Sequence, residues 1–197
     1  MRLIQKLSST ILSNTPKFLL LLSILAVFGT ILELTGGIWD AVSHIMREPE
    51  LFWTIQHVSV YTGVAMISSS GILGGILLAK KTVSGNLKRG IIIIIIGSVT
   101  QISAGYVDSL SHDVYGIDGL LSWSHQPLEF GLVLSALGGF LILTELKGDG
   151  YKKLRTVSIF ALIFSLCWIG FNLSLLVGST ILCLPIYEIF SSGCAIL

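Results

Sequence analysis

Long apolar runs broken by short polar segments dominate this chain, and they leave it few ways to fold. The runs at 18–44, 51–79, 91–112 and 120–143 are each long enough to cross about 30 Å of hydrocarbon as a helix. A charge-free run then covers 156–187, more than one span needs. A fifth helix ending near Leu176 or Gly178 is expected there, with the rest a re-entrant piece, an interfacial helix or a short sixth span. Six consecutive isoleucines at 91–96 would read as a strand in water. In lipid a lone strand leaves its backbone groups unpaired, so a helix is expected. The expected fold is all-α, a polytopic membrane bundle of five helices, or six if the last run turns back. Composition agrees: 12% of the residues are charged, against about 25% in soluble domains, and the mean hydropathy is +0.88.

The same pattern divides the chain into a lead (1–17), two helix hairpins (18–79 and 91–144) and a C-terminal membrane helix with its tail (156–197). Arg2, Lys6 and Lys17 precede the first run as in a signal peptide. The apolar stretch 18–39, however, outruns a signal core of about 7–15 residues, so an uncleaved helix is expected. Eleven of the twelve Lys and Arg residues fall in the lead or in the segments after the second and fourth runs; the exception is Arg47. The excess of Lys and Arg makes that side cytoplasmic, N-terminus included. Trp39, Trp53, Tyr106, Tyr115 and Trp123 gather at the other end, as an interfacial aromatic belt does. No basic stripe suits nucleic acid. Cys167, Cys183 and Cys194 have no CxxC spacing and form no thiolate metal site. Cys167 reads as a small core residue, while Cys183 and Cys194 could pair only on an oxidising side. The sequon at Asn172 sits in an apolar span and is discounted.

One pattern occurs twice. Gly37, Asp40, Ser43, His44, His57 and Gly63 recur as Gly105, Asp108, Ser111, His112, His125 and Gly131, offset by 68 at every position. These four histidines are the only ones in the chain. Asp and His at i and i+4 share a helix face, one turn apart. The following gap lets the chain turn and enter the next helix by about two turns, so a third ligand, His57 or His125, arrives from the neighbouring antiparallel helix. Each hairpin thereby offers two imidazoles and a carboxylate, which leaves coordination positions open. With both copies at the outer face, an ion could enter from the aqueous side. A lone membrane histidine is more often a packing residue, but a duplicated trio that uses every histidine points to metal.

Other polar residues carry weaker signals. Glu129 lies four residues after His125 and reads as a partner that holds the imidazole or as an extra ligand. Tyr61 lies four after His57, beside the same ion or simply in the aromatic belt. Glu33 aligns with Gln101 in the repeat and reads as a buried, protonated carboxyl or part of a proton path. Ser43 and Ser111 read as donors to helix backbone. The glycines at 37, 63, 105 and 131 are expected to bring helices close.

On these residues the sequence resembles the C-type subunit of the copper membrane monooxygenases, the family of particulate methane monooxygenase and ammonia monooxygenase, nearest in size to the short archaeal ammonia type. That family carries an Asp-x3-His-x12-His copper site on one helix pair, matched by Asp40, His44 and His57. It has a second site reading Asn-x3-His with a later His, matched in position by Asp108, His112 and His125. The match covers roughly residues 33 to 145. Asp108 stands where the family has asparagine, which adds a negative charge to that site. The aromatic and proline residues expected before the first distal histidine are also absent. The resemblance implies one or two copper ions and dioxygen chemistry on a small substrate such as ammonia or a short alkane. It further implies partner subunits of A and B type in a hetero-oligomeric, trimeric assembly. From the residues alone, competing readings stay open: haem b held between paired histidines, a zinc-dependent intramembrane hydrolase of lipid amides, an iron site, or a non-catalytic metal-binding subunit.

Overall fold

The computed structural model describes residues 15–46, 53–81, 83–115 and 123–181, with side-chain detail excluding 44, 45, 111–115, 179 and 180. The described residues form α1 (Thr15–Ile45), α2 (Ile55–Ala79), α3 (Gly85–Tyr115), α4 (His125–Glu145), a 3-10 turn (Asp149–Tyr151) and α5 (Lys152–Thr180). All five helices are long and apolar enough to cross a membrane, which makes the chain an integral membrane protein. In the isoleucine run of α3, Ile91 and Ile94 are buried, followed by Ser98 and Gln101, while Ile92 and Ile96 are exposed. Burial every three or four residues is the helical period, not the strand's.

Several helix ends differ somewhat from the sequence expectation. α3 starts at Gly85 and α5 at Lys152, earlier than their apolar runs, because a helix continues past the hydrocarbon where charged side chains reach water. α3 also runs on to Tyr115, into the segment expected to turn. α2 and α4 start late, at Ile55 and His125. Thr54 is extended before α2 (φ −70°, ψ 157°). Pro127, the third residue of α4, sits in the first turn, where its missing N–H has no intrahelical partner to lose. The expected sixth span, Cys183, Cys194 and Pro49 lie outside the described residues.

α1 packs antiparallel on α2, and α3 on α4, each pair in extensive contact; α2 against α3 and α1 against α4 close these four helices into a ring. α5 lies outside the ring, against α4 and more lightly against α1. The tight crossings are made by glycine. A Cβ on Gly63 would sit 2.6 Å from the Gly29 carbonyl, and one on Gly131 would sit 2.7 Å from the Gly97 carbonyl. These two crossings fall 68 residues apart at both partners. In lipid, where no hydrophobic force drives helices together, such close backbone approach is a main source of association. Gly37 and Gly105 play no such part: the nearest atoms to a Cβ there are side chains, at 3.5 Å (Trp168) and 4.0 Å (Leu128). Ser70 and Ser59 add hydrogen bonds from α2 to the α1 carbonyls of Leu22 (2.8 Å) and Leu32 (3.0 Å).

The main apolar core, with Leu22, Val27, Leu77, Ile91, Ile94 and Ile142, fills the half of the ring nearest the Lys- and Arg-bearing ends. At that end Asn86 donates to Glu145 (2.8 Å) and ties the start of α3 to the end of α4. A smaller cluster, Leu34, Ile67 and Leu132 against Trp168, lies higher. Above it the interior turns polar. Cys167 is exposed on α5, not the core residue its chemistry suggested, because α5 presents most of its surface outward. Phe160, Phe164 and Phe171 are exposed on the same helix. Between α1 and α5 runs an apolar groove of about 440 Å³ that reaches from Ile31 to Ile38 and is floored by Trp168.

Candidate metal centre

Asp40 lies one turn before the end of α1, and His57 is the third residue of α2. Their side chains meet across the hairpin, His57 Nε2 standing 3.1 Å from Asp40 Oδ1. Asp108 near the end of α3 meets His125, the first residue of α4, with Nε2 3.3 Å from Oδ2. The distal histidines therefore arrive in the first turn of their helices, not two turns in, because α2 and α4 begin later than their apolar runs. All four side chains are largely but not fully covered, with 25% and 24% of the two imidazoles exposed. Both pairs lie at the same end of the ring, opposite the end that holds Lys80, Lys81, Lys88 and Arg89.

His44 and His112 are on α1 and α3, one helical turn beyond Asp40 and Asp108; their side chains lie outside the described detail. Among the described residues no three His, Cys, Asp or Glu side chains converge on one point. What the structure brings together is therefore two of the three expected ligands in each hairpin.

The separations fit a shared ion. Bonds of about 2.0–2.2 Å from one metal to a carboxylate oxygen and an imidazole nitrogen, opened by an angle between square and tetrahedral, put those atoms roughly 3 to 3.5 Å apart. The distances of 3.1 and 3.3 Å lie in that range, as they do for an ordinary His–Asp hydrogen bond.

The surroundings of the two pairs differ. Ser124 Oγ donates to Asp108 Oδ1 at 2.6 Å, which leaves Oδ2 for His125. Matching the two copies of the repeat passes over Ser124, although its place immediately before the histidine is a usable signal. Gln56 occupies the corresponding position of the first hairpin and is buried. Tyr61 stacks obliquely beside His57 (ring centres 6.2 Å apart, 33°) and meets Trp53 edge-on at 6.2 Å, so it both borders the imidazole and belongs to the aromatic rim. Trp39, Trp53, Tyr106 and Trp123 are exposed around it. Glu129 is buried one turn along α4 from His125. Ser43 is buried as well, while the side chain of Ser111 lies outside the described detail.

Fold and site together define a polytopic all-α membrane protein with two carboxylate–imidazole pairs at one end of a four-helix ring. Compared with models of protein families, with curated proteins and with solved structures, the chain matches none.

Proposed function

We propose that this chain is a copper-binding integral-membrane subunit of a copper-dependent monooxygenase, acting on a small substrate such as ammonia or a short alkane. The observation that carries the reading is the pair of Asp–His contacts at one end of the bundle, 3.1 and 3.3 Å. Each joins the end of one helix to the start of the next, at positions 68 apart. In this reading the two hairpins are copies of one unit. Asp40, His44 and His57 hold one ion, and Asp108, His112 and His125 hold the other. Bound copper would supply the activation of dioxygen.

The chain's own residues hold and orient. Ser124 fixes the rotation of Asp108, Tyr61 borders His57, and Glu129 stands behind His125. The groove between α1 and α5 supports entry of a small apolar substrate from the lipid, since it ends at Ile38, two residues before Asp40. The N-terminus faces the cytoplasm and the ligands face outward, on the strength of the Lys and Arg distribution. A- and B-type partner subunits follow from the family resemblance; the exposed phenylalanine face of α5 is available to them or to lipid.

The test is elemental analysis of the detergent-purified chain, with and without His44→Ala and His112→Ala. Copper is expected in the wild type, with loss from each hairpin on its own substitution. Zinc without copper would instead favour the hydrolase reading, and metal content unchanged by both substitutions would overturn the assignment.

A further inference from the structure

Below the Asp–His pairs, the ring encloses a second polar group that the metal reading does not use. Gln101 on α3 donates Nε2 to both carboxyl oxygens of Glu33 on α1, at 3.1 and 3.4 Å. α1 and α3 stand on opposite sides of the ring, so this contact crosses its middle. Glu33 is 4% exposed and Gln101 is 1% exposed. Gln101 Oε1 is buried with no hydrogen-bond partner, as is Oε2 of Glu129 on α4. α4 packs on Gln101 at this level: a Cβ on Gly131, two residues after Glu129, would sit 2.7 Å from Gln101 Cγ.

Two features bear on what occupies this place. The amide turns its N–H groups, not its oxygen, toward Glu33, which suits a carboxylate that only accepts. Yet α2 and α4 hold no Lys or Arg, nor does α1 after Lys17 or α3 after Arg89. A carboxylate buried in lipid with no cationic partner is costly enough that it either takes up a proton or meets a cation from outside the chain.

We propose that Glu33, Gln101 and Glu129 form a binding site for one alkali cation, with sodium as the probe, at the centre of the four-helix ring. The ion meets the Glu33 carboxylate and the two oxygens left without donors. The proposal does not depend on copper at the outer end.

The experiment is thermal unfolding of the full chain in detergent with a chelator present, so that outer-end metal contributes nothing. Sodium replaces choline at constant ionic strength. A ligand that binds only the folded chain raises its midpoint. A saturable rise of several degrees is expected in the wild type, lost in Glu33→Gln and weakened in Gln101→Leu. Glu129→Gln serves as the second variant should Glu33→Gln fail to fold. A wild-type midpoint indifferent to sodium overturns the site. So does a midpoint that responds to pH through Glu33 but not to sodium, which would identify a protonated carboxyl instead.

Discussion

Asp108 accepts from Ser124 on one oxygen and faces His125 with the other, whereas Asp40 has a buried glutamine at the matching position of its hairpin. A residue that fixes a ligand's rotation typically changes metal affinity about 10- to 100-fold when removed. If the hairpins bind metal as proposed, Ser124→Ala is therefore expected to weaken binding at the second by that factor and to leave the first unchanged. Copper titration of the full chain, with two affinities resolved, measures both at once. Equal weakening at the two sites, or none at either, would count against Ser124 as the orienting group. The residue also marks a limit of spacing arguments. The repeat selects ligands by identity, and Ser124 escapes because nothing at position 56 resembles it.

Each hairpin depends on a glycine crossing, Gly29 with Gly63 in the first and Gly97 with Gly131 in the second. A Cβ on Gly131 would meet the Gly97 carbonyl at 2.7 Å and Gln101 Cγ at 2.7 Å, and backbone cannot step aside as a long side chain can. Gly131→Val should force α3 and α4 apart, at a cost of about 1–3 kcal/mol or more by the usual scale of overpacking. Gly37→Ala has only Trp168 nearby, at 3.5 Å, and should be nearly neutral. Thermal unfolding of the two variants side by side gives the contrast; a destabilisation of similar size in both would contradict this account. The repeat singles out Gly63 and Gly131 correctly by their position. It overlooks their partners Gly29 and Gly97, since which glycine faces which depends on the crossing of two helices.

Across the protein, the described Lys and Arg residues sit at one end and the Asp–His pairs at the other. The Lys and Arg bias predicts that the first end faces the cytoplasm. In a chain whose native cysteines are replaced, Trp53→Cys should react with an impermeant maleimide added to intact cells, and Ser84→Cys only after the membrane is opened. The reverse pattern would invert the topology and turn the candidate ligands toward the cytoplasm. The ring itself shows why a polar interior is tolerated here. Glu33 and Gln101 answer each other across it, and the apolar core is concentrated at the charged end, among Leu22, Leu77, Ile91 and Ile142.

The number of described helices, their approximate extents and the end at which the Asp–His pairs collect are all legible in the residue order. Each of these depends on local quantities: the length of an apolar run, the helix's capacity to satisfy its own backbone, and the distance along the chain between two ligands. It took the packed bundle to establish that Glu33 and Gln101, aligned as counterparts, touch one another, that Cys167 points outward, and that the distal histidines open their helices. A helix that is apolar all round carries no stripe to say which face turns inward, so the direction of each side chain is settled by the glycine crossings and by the neighbours that those crossings admit.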